Sequence, residues 1–216
     1  KTCTNGSLGV CDPPPKTTCA PNSITACTTC STLSQFSSGT HICNSNCDYA
    51  GAYCTPTGGS WTANSVDSVF QHECGSKYTQ TGMPDVWMVF PSSGSACWMQ
   101  KGPNFKLPRG RYKWTFKVTI NSSNGGLSAD VARNGTTVGP PDGPQPDFTC
   151  PWNGPGYCPP GVITITKSEA DVTQVYSIDF GVPDDCGASY ELRVRAYGPG
   201  GWMMLHYSTV SWAGTY

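Results

Sequence analysis

The stretch RYKWTFKVTI (111–120) sets a large apolar side chain at every second position: Tyr112, Trp114, Phe116, Val118 and Ile120. Between them stand Arg111, Lys113, Thr115, Lys117 and Thr119. A period of two places all the apolar groups on one side of an extended chain, the pattern of a strand buried on one face. SYELRVRAY (189–197) repeats it, with Tyr190, Leu192, Val194 and Ala196 on the apolar side and Glu191, Arg193 and Arg195 on the other. DVWMVF, GLSADVAR, VITITK, QVYSIDF and WMMLHYSTVSW read as further strands. Turn residues separate them at Asn124-Gly-Gly, Asn134-Gly, Pro183-Asp-Asp and Gly198-Pro-Gly-Gly, and Asn134-Gly135 suits a tight hairpin. No segment shows the apolar period of an amphipathic helix.

One-faced strands need a second sheet to bury against. About eight of them, joined by short turns, predict an all-β fold: an antiparallel β-sandwich of the jelly-roll kind over residues 58–216. Residues 1–57 differ, because their apolar residues (Leu8, Val10, Ile24, Leu33, Phe36, Ile42) are isolated. Ordering a residue costs about 1–2 kcal/mol, which so little burial does not offset. Cysteine supplies the alternative: of 13 in the chain, 8 fall before residue 55. Each disulfide constrains the unfolded chain by about 2–4 kcal/mol. The opening segment is therefore expected to be a small stapled unit, with Cys3, Cys11, Cys19, Cys27, Cys30, Cys43, Cys47 and Cys54 in bonds.

The competing use of these cysteines is zinc, with Cys27-Thr-Thr-Cys30 paired to Cys43-Asn-Ser-Asn-Cys47. Few charges and a surplus of unmatched cysteines favour disulfides. Thirteen is odd, so at least one sulfur is free, bound to another molecule or bonded to a second chain, which leaves open both a functionally silent buried thiol and self-association or a disulfide-linked partner. The Pro- and Gly-rich stretch 139–161 interrupts the strand pattern, and a Cys150–Cys158 bond is expected to close it into an ordered ring presenting Trp152 and Tyr157.

Disulfide density and the sequons at Asn5, Asn121 and Asn134 describe an exported, extracellular glycoprotein. The chain opens at Lys1 without a signal peptide and reads as a mature form. No apolar run reaches the roughly 18–20 residues of a membrane span. A net charge of -1 with 12% charged residues argues against a nucleic-acid partner, which calls for a basic face. The densest basic stretch gathers Lys106, Arg109, Arg111, Lys113 and Lys117, either as a solvated strand face or as a hold for an acidic polymer.

Motifs for nucleophilic, zinc-hydrolase or phosphate chemistry are missing from the sequence. His41, His72 and His206 are far apart, and no two carboxylates are paired by spacing. No cofactor is expected, although Asp171, Asp179, Asp184 and Asp185 are of a type that holds a structural calcium. Aromatics carry the stronger signal, with seven Trp and ten Tyr. Trp87, Trp114 and Tyr190 fall inside alternating strands and read as core. Trp152, Tyr157, Trp202 and Tyr197 flank Pro/Gly turns, where flat rings can stack on sugar faces while polar neighbours bind hydroxyls.

The stretch GPNFKLPRGRYKWTFKVTINSSNGGLSADVARNGTTV resembles the middle of a jelly-roll carbohydrate-binding module, and YELRVRAYGPGGWMMLHYSTVSW resembles its closing strand pair. The resemblance spans about residues 65–213. It implies polysaccharide binding on loop-borne aromatics or a concave sheet face, often with a structural calcium; His206-Tyr207 stands where the acidic calcium ligand would be. The leading expectation is a secreted glycan-binding protein, lectin-like, whose ligand is a polysaccharide or glycoprotein glycan. The others are a structural protein of a matrix, wall or surface filament, and a polysaccharide lyase or hydrolase on the same sandwich.

Overall fold

The structure, a computed structural model, describes residues 19–20, 22–43, 54–91, 96–121, 125–137, 163–166, 172–183 and 185–215. Three short strands come first: β1 (Ile24–Thr28), β2 (Ser38–Ile42) and β3 (Thr55–Pro56). Then follow β4 (Ser60–Asn64), β5 (Ser76–Tyr78), β6 (Val86–Val89), β7 (Cys97–Phe105), β8 (Gly110–Asn121) and β9 (Gly126–Arg133). The chain continues through β10 (Thr136–Thr137), β11 (Ile163–Thr166), β12 (Val172–Val182), β13 (Tyr190–Tyr197) and β14 (Trp202–Gly214).

The first three strands form a small sheet of their own, and the rest make a sandwich. One sandwich sheet runs β12-β8-β14-β6-β5, with β4 sharing the β14 edge that β6 uses. The other runs β10-β9-β13-β7, with β11 alongside β9. All pairings are antiparallel. The long strands switch sheets at each step, from β7 to β8 to β9 and from β12 to β13 to β14. This is the antiparallel sandwich of jelly-roll type that the alternation predicts.

The inward halves of the alternating strands meet between the sheets. Tyr112, Trp114 and Phe116 of β8 face Tyr190, Leu192 and Val194 of β13, all with no exposed surface. Register carries the pattern outward from β8: Trp114 stands opposite Ile178 of β12 and Val210 of β14, and all three are buried. Trp87 departs from its expected core position. It is half-buried, stacked on His72 with ring centroids 3.6 Å apart, and its indole N–H donates to the Cys74 carbonyl.

The alternation of β14 breaks once. Leu205 pairs with Val118 and Tyr207 with Lys117, so His206 is an extra residue in a bulge. Ser65 holds the distortion in place. Its N–H donates to the His206 carbonyl, its hydroxyl to the Leu205 carbonyl, and the Trp87 N–H donates to that same hydroxyl. Asn134 and Gly135 form the expected tight turn between β9 and β10, with φ of 50° and 84°.

Four disulfides join eight described cysteines: Cys19–Cys43, Cys27–Cys54, Cys30–Cys186 and Cys74–Cys97. Cys27 and Cys30 go to different partners, and Cys43 to a third, so the zinc arrangement does not form. His41 lies beside the Cys27–Cys54 pair and Asp185 beside the Cys30–Cys186 pair, but both sulfurs of each pair are bonded and offer no thiolate to a metal. Cys3, Cys11, Cys47, Cys150 and Cys158 lie outside the described residues, as do Asn5, Trp152, Tyr157, Asp171 and Asp184.

The opening segment does not rely on sulfur alone. Phe36, in a 3-10 turn at Ser34–Phe36, is fully buried in the sandwich core, edge-on to Tyr112 at 5.5 Å between centroids. Burying such a ring contributes about 1.5–3 kcal/mol. Around it Ser31 and Thr32 hydrogen-bond the backbone of Lys106, and the Cys30–Cys186 bond closes beside them.

Candidate functional site

The outward side of the larger sheet is where polar side chains meet solvent in register. Thr62 of β4, Thr209 of β14, Thr115 of β8 and Ser177 of β12 stand in one row across four strands. Their hydroxyls are linked in pairs, Thr62 to Thr209 at 2.9 Å and Thr115 to Ser177 at 3.0 Å. The row toward one end is Ser60, Ser211, Lys113 and Asp179, and the row toward the other is Asn64, Tyr207, Lys117 and Val175. Four strands at about 4.8 Å spacing and rows about 6.8 Å apart make a platform on the order of 14 Å in each direction. The edge columns on β4 and β12 are exposed, and the central ones are half-buried except at Lys113, which is exposed.

Local sequence builds this face directly. Ser-Trp-Thr-Ala-Asn in β4 and Thr-Val-Ser in β14 alternate core residues with small hydroxylated ones. β-Branched Thr suits an extended backbone and presents a methyl beside its hydroxyl. Each hydroxyl both donates and accepts, so a paired Thr retains capacity for a ligand.

The bulge at His206 extends the platform. Because His206 and Tyr207 both leave the inward register, His206 reaches Thr119, whose hydroxyl lies 2.8 Å from its Nε2 and 2.8 Å from the Thr173 hydroxyl. Burial first, and the Lys117 charge second, hold the His206 pKa below the usual imidazole value. At the far end Trp202 pairs with Asn121, and because Met203 beside it is buried, Trp202 turns to this outer side, half-exposed.

The outward side of the other sheet is built differently. Asp130 of β9 accepts two hydrogen bonds from the Arg193 guanidinium of β13, Nε at 2.9 Å and Nη2. Asp130 and Ser128 are buried although they point away from the core. Trp98 of β7 lies beside them, with the Arg193 and Arg195 guanidinium carbons 5.1 and 5.3 Å from its ring centre. Tyr197 completes this face by lying over Gly126, where a Cβ would come within 2.7 Å of the tyrosine oxygen. All seven of the first β9 residues are buried, so this strand departs from the one-faced pattern expected of it.

The two described aromatics singled out in the sequence therefore part company. Tyr197 ends β13 and Trp202 begins β14, in different sheets, and the turn at Gly198–Gly201 carries the chain from one outer face to the other. Asn134 is exposed in its hairpin, and its side-chain carbonyl accepts the Ser189 N–H at 2.9 Å. Asn121 is half-buried at the end of β8. The basic stretch also divides. Arg111, Lys113 and Lys117 face out from β8, whereas Lys106 and Arg109 sit in the turn before it, against the opening segment and Asp185. Of the aspartates considered for calcium, Asp179 pairs with Lys113 at 3.8 Å and Asp185 accepts the Arg109 N–H. The Thr and Ser rows went unnoticed in the sequence, where their only signal is the polar half of the same alternation.

No protein-family model and no curated protein matches this chain. Among solved structures it is similar to the C-terminal family 6 carbohydrate-binding module of LamC, a marine laminarinase from Zobellia galactanivorans, at 14% identity over 70% of this chain and 98% of that one, with a TM-score of 0.44. A carbohydrate-binding module of Cellvibrio mixtus lichenase 5A, in complex with cellotriose, gives 15% identity over 71% and 97% of the two chains and a TM-score of 0.37. A family two carbohydrate esterase from Cellvibrio japonicus gives 12% identity over 73% of this chain and 35% of that one, with a TM-score of 0.35. Carbohydrate-binding modules are thus among its structural neighbours, as are enzymes.

Proposed function

We propose that this chain is a secreted glycan-binding protein that holds a polysaccharide on the open face of the larger sheet. The supporting observation is the row Thr62, Thr209, Thr115 and Ser177, continued by Asn64 and Tyr207 and ended by Trp202. A sugar chain needs many shallow hydrogen bonds to hydroxyls and a flat apolar surface for its C–H face. The hydroxyl rows supply the first and Trp202 with Tyr207 the second. In this reading Trp152 and Tyr157 are further sugar contacts, and Tyr197 is a scaffold residue of the other face.

Depletion of the purified protein by a panel of insoluble and immobilised polysaccharides tests the reading. Selective loss to one polymer is expected, reversed by its oligosaccharide and weakened by Trp202→Ala and by Thr62→Ala/Thr209→Ala. Depletion unaffected by these three substitutions would move the site elsewhere, and no depletion by any polymer would end the glycan reading.

The odd cysteine supports a second reading, a cross-linked structural protein. With eight cysteines engaged in four bonds, five remain, an odd number. A reducible multimer on a non-reducing gel is its expected sign.

A further inference from the structure

The open face carries a charge asymmetry that hydroxyl recognition does not use. Along β8 the outward positions include Arg111, Lys113 and Lys117, on a chain whose formal net charge is -1. The flanking strands β4 and β14 add no carboxylate to this side, and β12 adds one, Asp179, 3.8 Å from the Lys113 ammonium. Asp67 lies at the margin, where its carboxylate accepts the Asn64 N–H. Lys113 and Asp179 are about half exposed, with side-chain exposures of 50% and 59%, so their pairing is weak and open to exchange. Lys117 has no ion-pair partner among the described residues, and it stands between Tyr207 and Val175 in its row.

We infer that the open face takes a linear polysaccharide bearing carboxylates, a polyuronate lying along β8. This rests on the glycan reading above and names its ligand class. Lys113 and Lys117 supply point charges on flexible stems that can each reach a carboxylate. The Ser and Thr rows on either side receive the ring hydroxyls, which a purely ionic partner would leave unused. Two lysines on a platform four strands wide match sparse carboxylates. The dense phosphates of a nucleic acid draw on larger basic faces.

The test compares polygalacturonate with the same polymer after methyl esterification, which keeps the backbone and removes the charge. A neutral β-glucan and a single-stranded oligonucleotide serve as further probes. The expected result is binding to polygalacturonate at least about tenfold tighter than to the ester. That advantage should shrink as salt rises from about 0.05 to about 0.3 M. Lys113→Gln/Lys117→Gln should abolish the difference between the two polymers while retaining the wild-type circular dichroism and melting temperature. Asp179→Asn, which removes the competing carboxylate, should increase it.

Equal binding of the charged and esterified polymers, or a preference for the neutral glucan, overturns this inference and leaves the glycan reading standing. A preference for the oligonucleotide overturns it as well. Failure to bind any of the polysaccharides overturns both.

Discussion

Asp130 and Thr115 occupy equivalent places, each outward-facing on an inner strand of one sandwich sheet. Asp130 is 6% exposed and bonded at two points to Arg193, on a face where Ser128 is buried as well. Thr115 is half-buried in a row whose ends, Thr62 and Ser177, are exposed. A charged group removed from water must be matched by a partner, so on the first face Asp130 is spent on Arg193. A hydroxyl in contact with water costs little and remains available to a ligand. The closed face is polar for internal reasons, and the open one can be polar for external ones.

The sharpest way to break this contrast is Asp130→Ala. It strands the Arg193 guanidinium in a largely buried site and should cost about 3–5 kcal/mol in urea unfolding. The double variant Asp130→Leu/Arg193→Met should recover most of that loss. If Asp130→Ala costs no more than a surface substitution, the closed face is not closed in solution.

Gly126→Ala should follow, at about 1–3 kcal/mol. Its Cβ would lie 2.3 Å from the Ile165 carbonyl oxygen and within 2.7 Å of the Tyr197 oxygen, so strand or ring must move. Thr115→Ala on the open face should change stability by less than about 0.5 kcal/mol in the same assay.

Acid sharpens the comparison by addressing the open face through His206. Its folded pKa is lowered by burial and then by Lys117, so the unfolded chain takes up the proton first as pH falls. Stability from this group is complete above its unfolded value of about 6.5 and declines below it. His72, lowered by burial despite its bond to the Met99 carbonyl, acts in the same direction. Urea midpoints at about pH 7.5 and about pH 5 should therefore converge partly in His206→Gln and further when His72→Gln is added. An unchanged midpoint difference in both variants would contradict the burial of these rings.

A comparably small effect belongs to Lys113→Ala or Asp179→Ala. Their exposed pair, 3.8 Å apart, should contribute less than about 0.5–1 kcal/mol to stability. A larger loss would mean that the open face, too, is held together by its charges.

Much of the architecture was legible before any coordinates. The inward sets of β8 and β13 are the apolar sets of RYKWTFKVTI and SYELRVRAY, because a period of two permits only one buried face. The Asn134-Gly135 hairpin was legible for the same local reason, since its turn needs positive φ at both residues. Five of the cysteines expected in disulfides are found in them: Cys19, Cys27, Cys30, Cys43 and Cys54. Their partners were not legible, because pairing depends on which loops the fold brings together. Trp202 and Tyr197 looked alike in sequence, four positions of turn apart, and only the change of sheet between them sends one to each outer face.

The alternation in the sequence therefore determined by itself that this chain folds as an antiparallel sandwich, since each strand had one side to hide and one to show. Which outer side stayed in contact with water was a tertiary decision. Asp130 meets Arg193 from 63 residues away, Cys30 meets Cys186 from 156, and Phe36 fills a core that its own segment could not build. Such contacts close one face and leave another open through neighbours distant along the chain, and no local period encodes them.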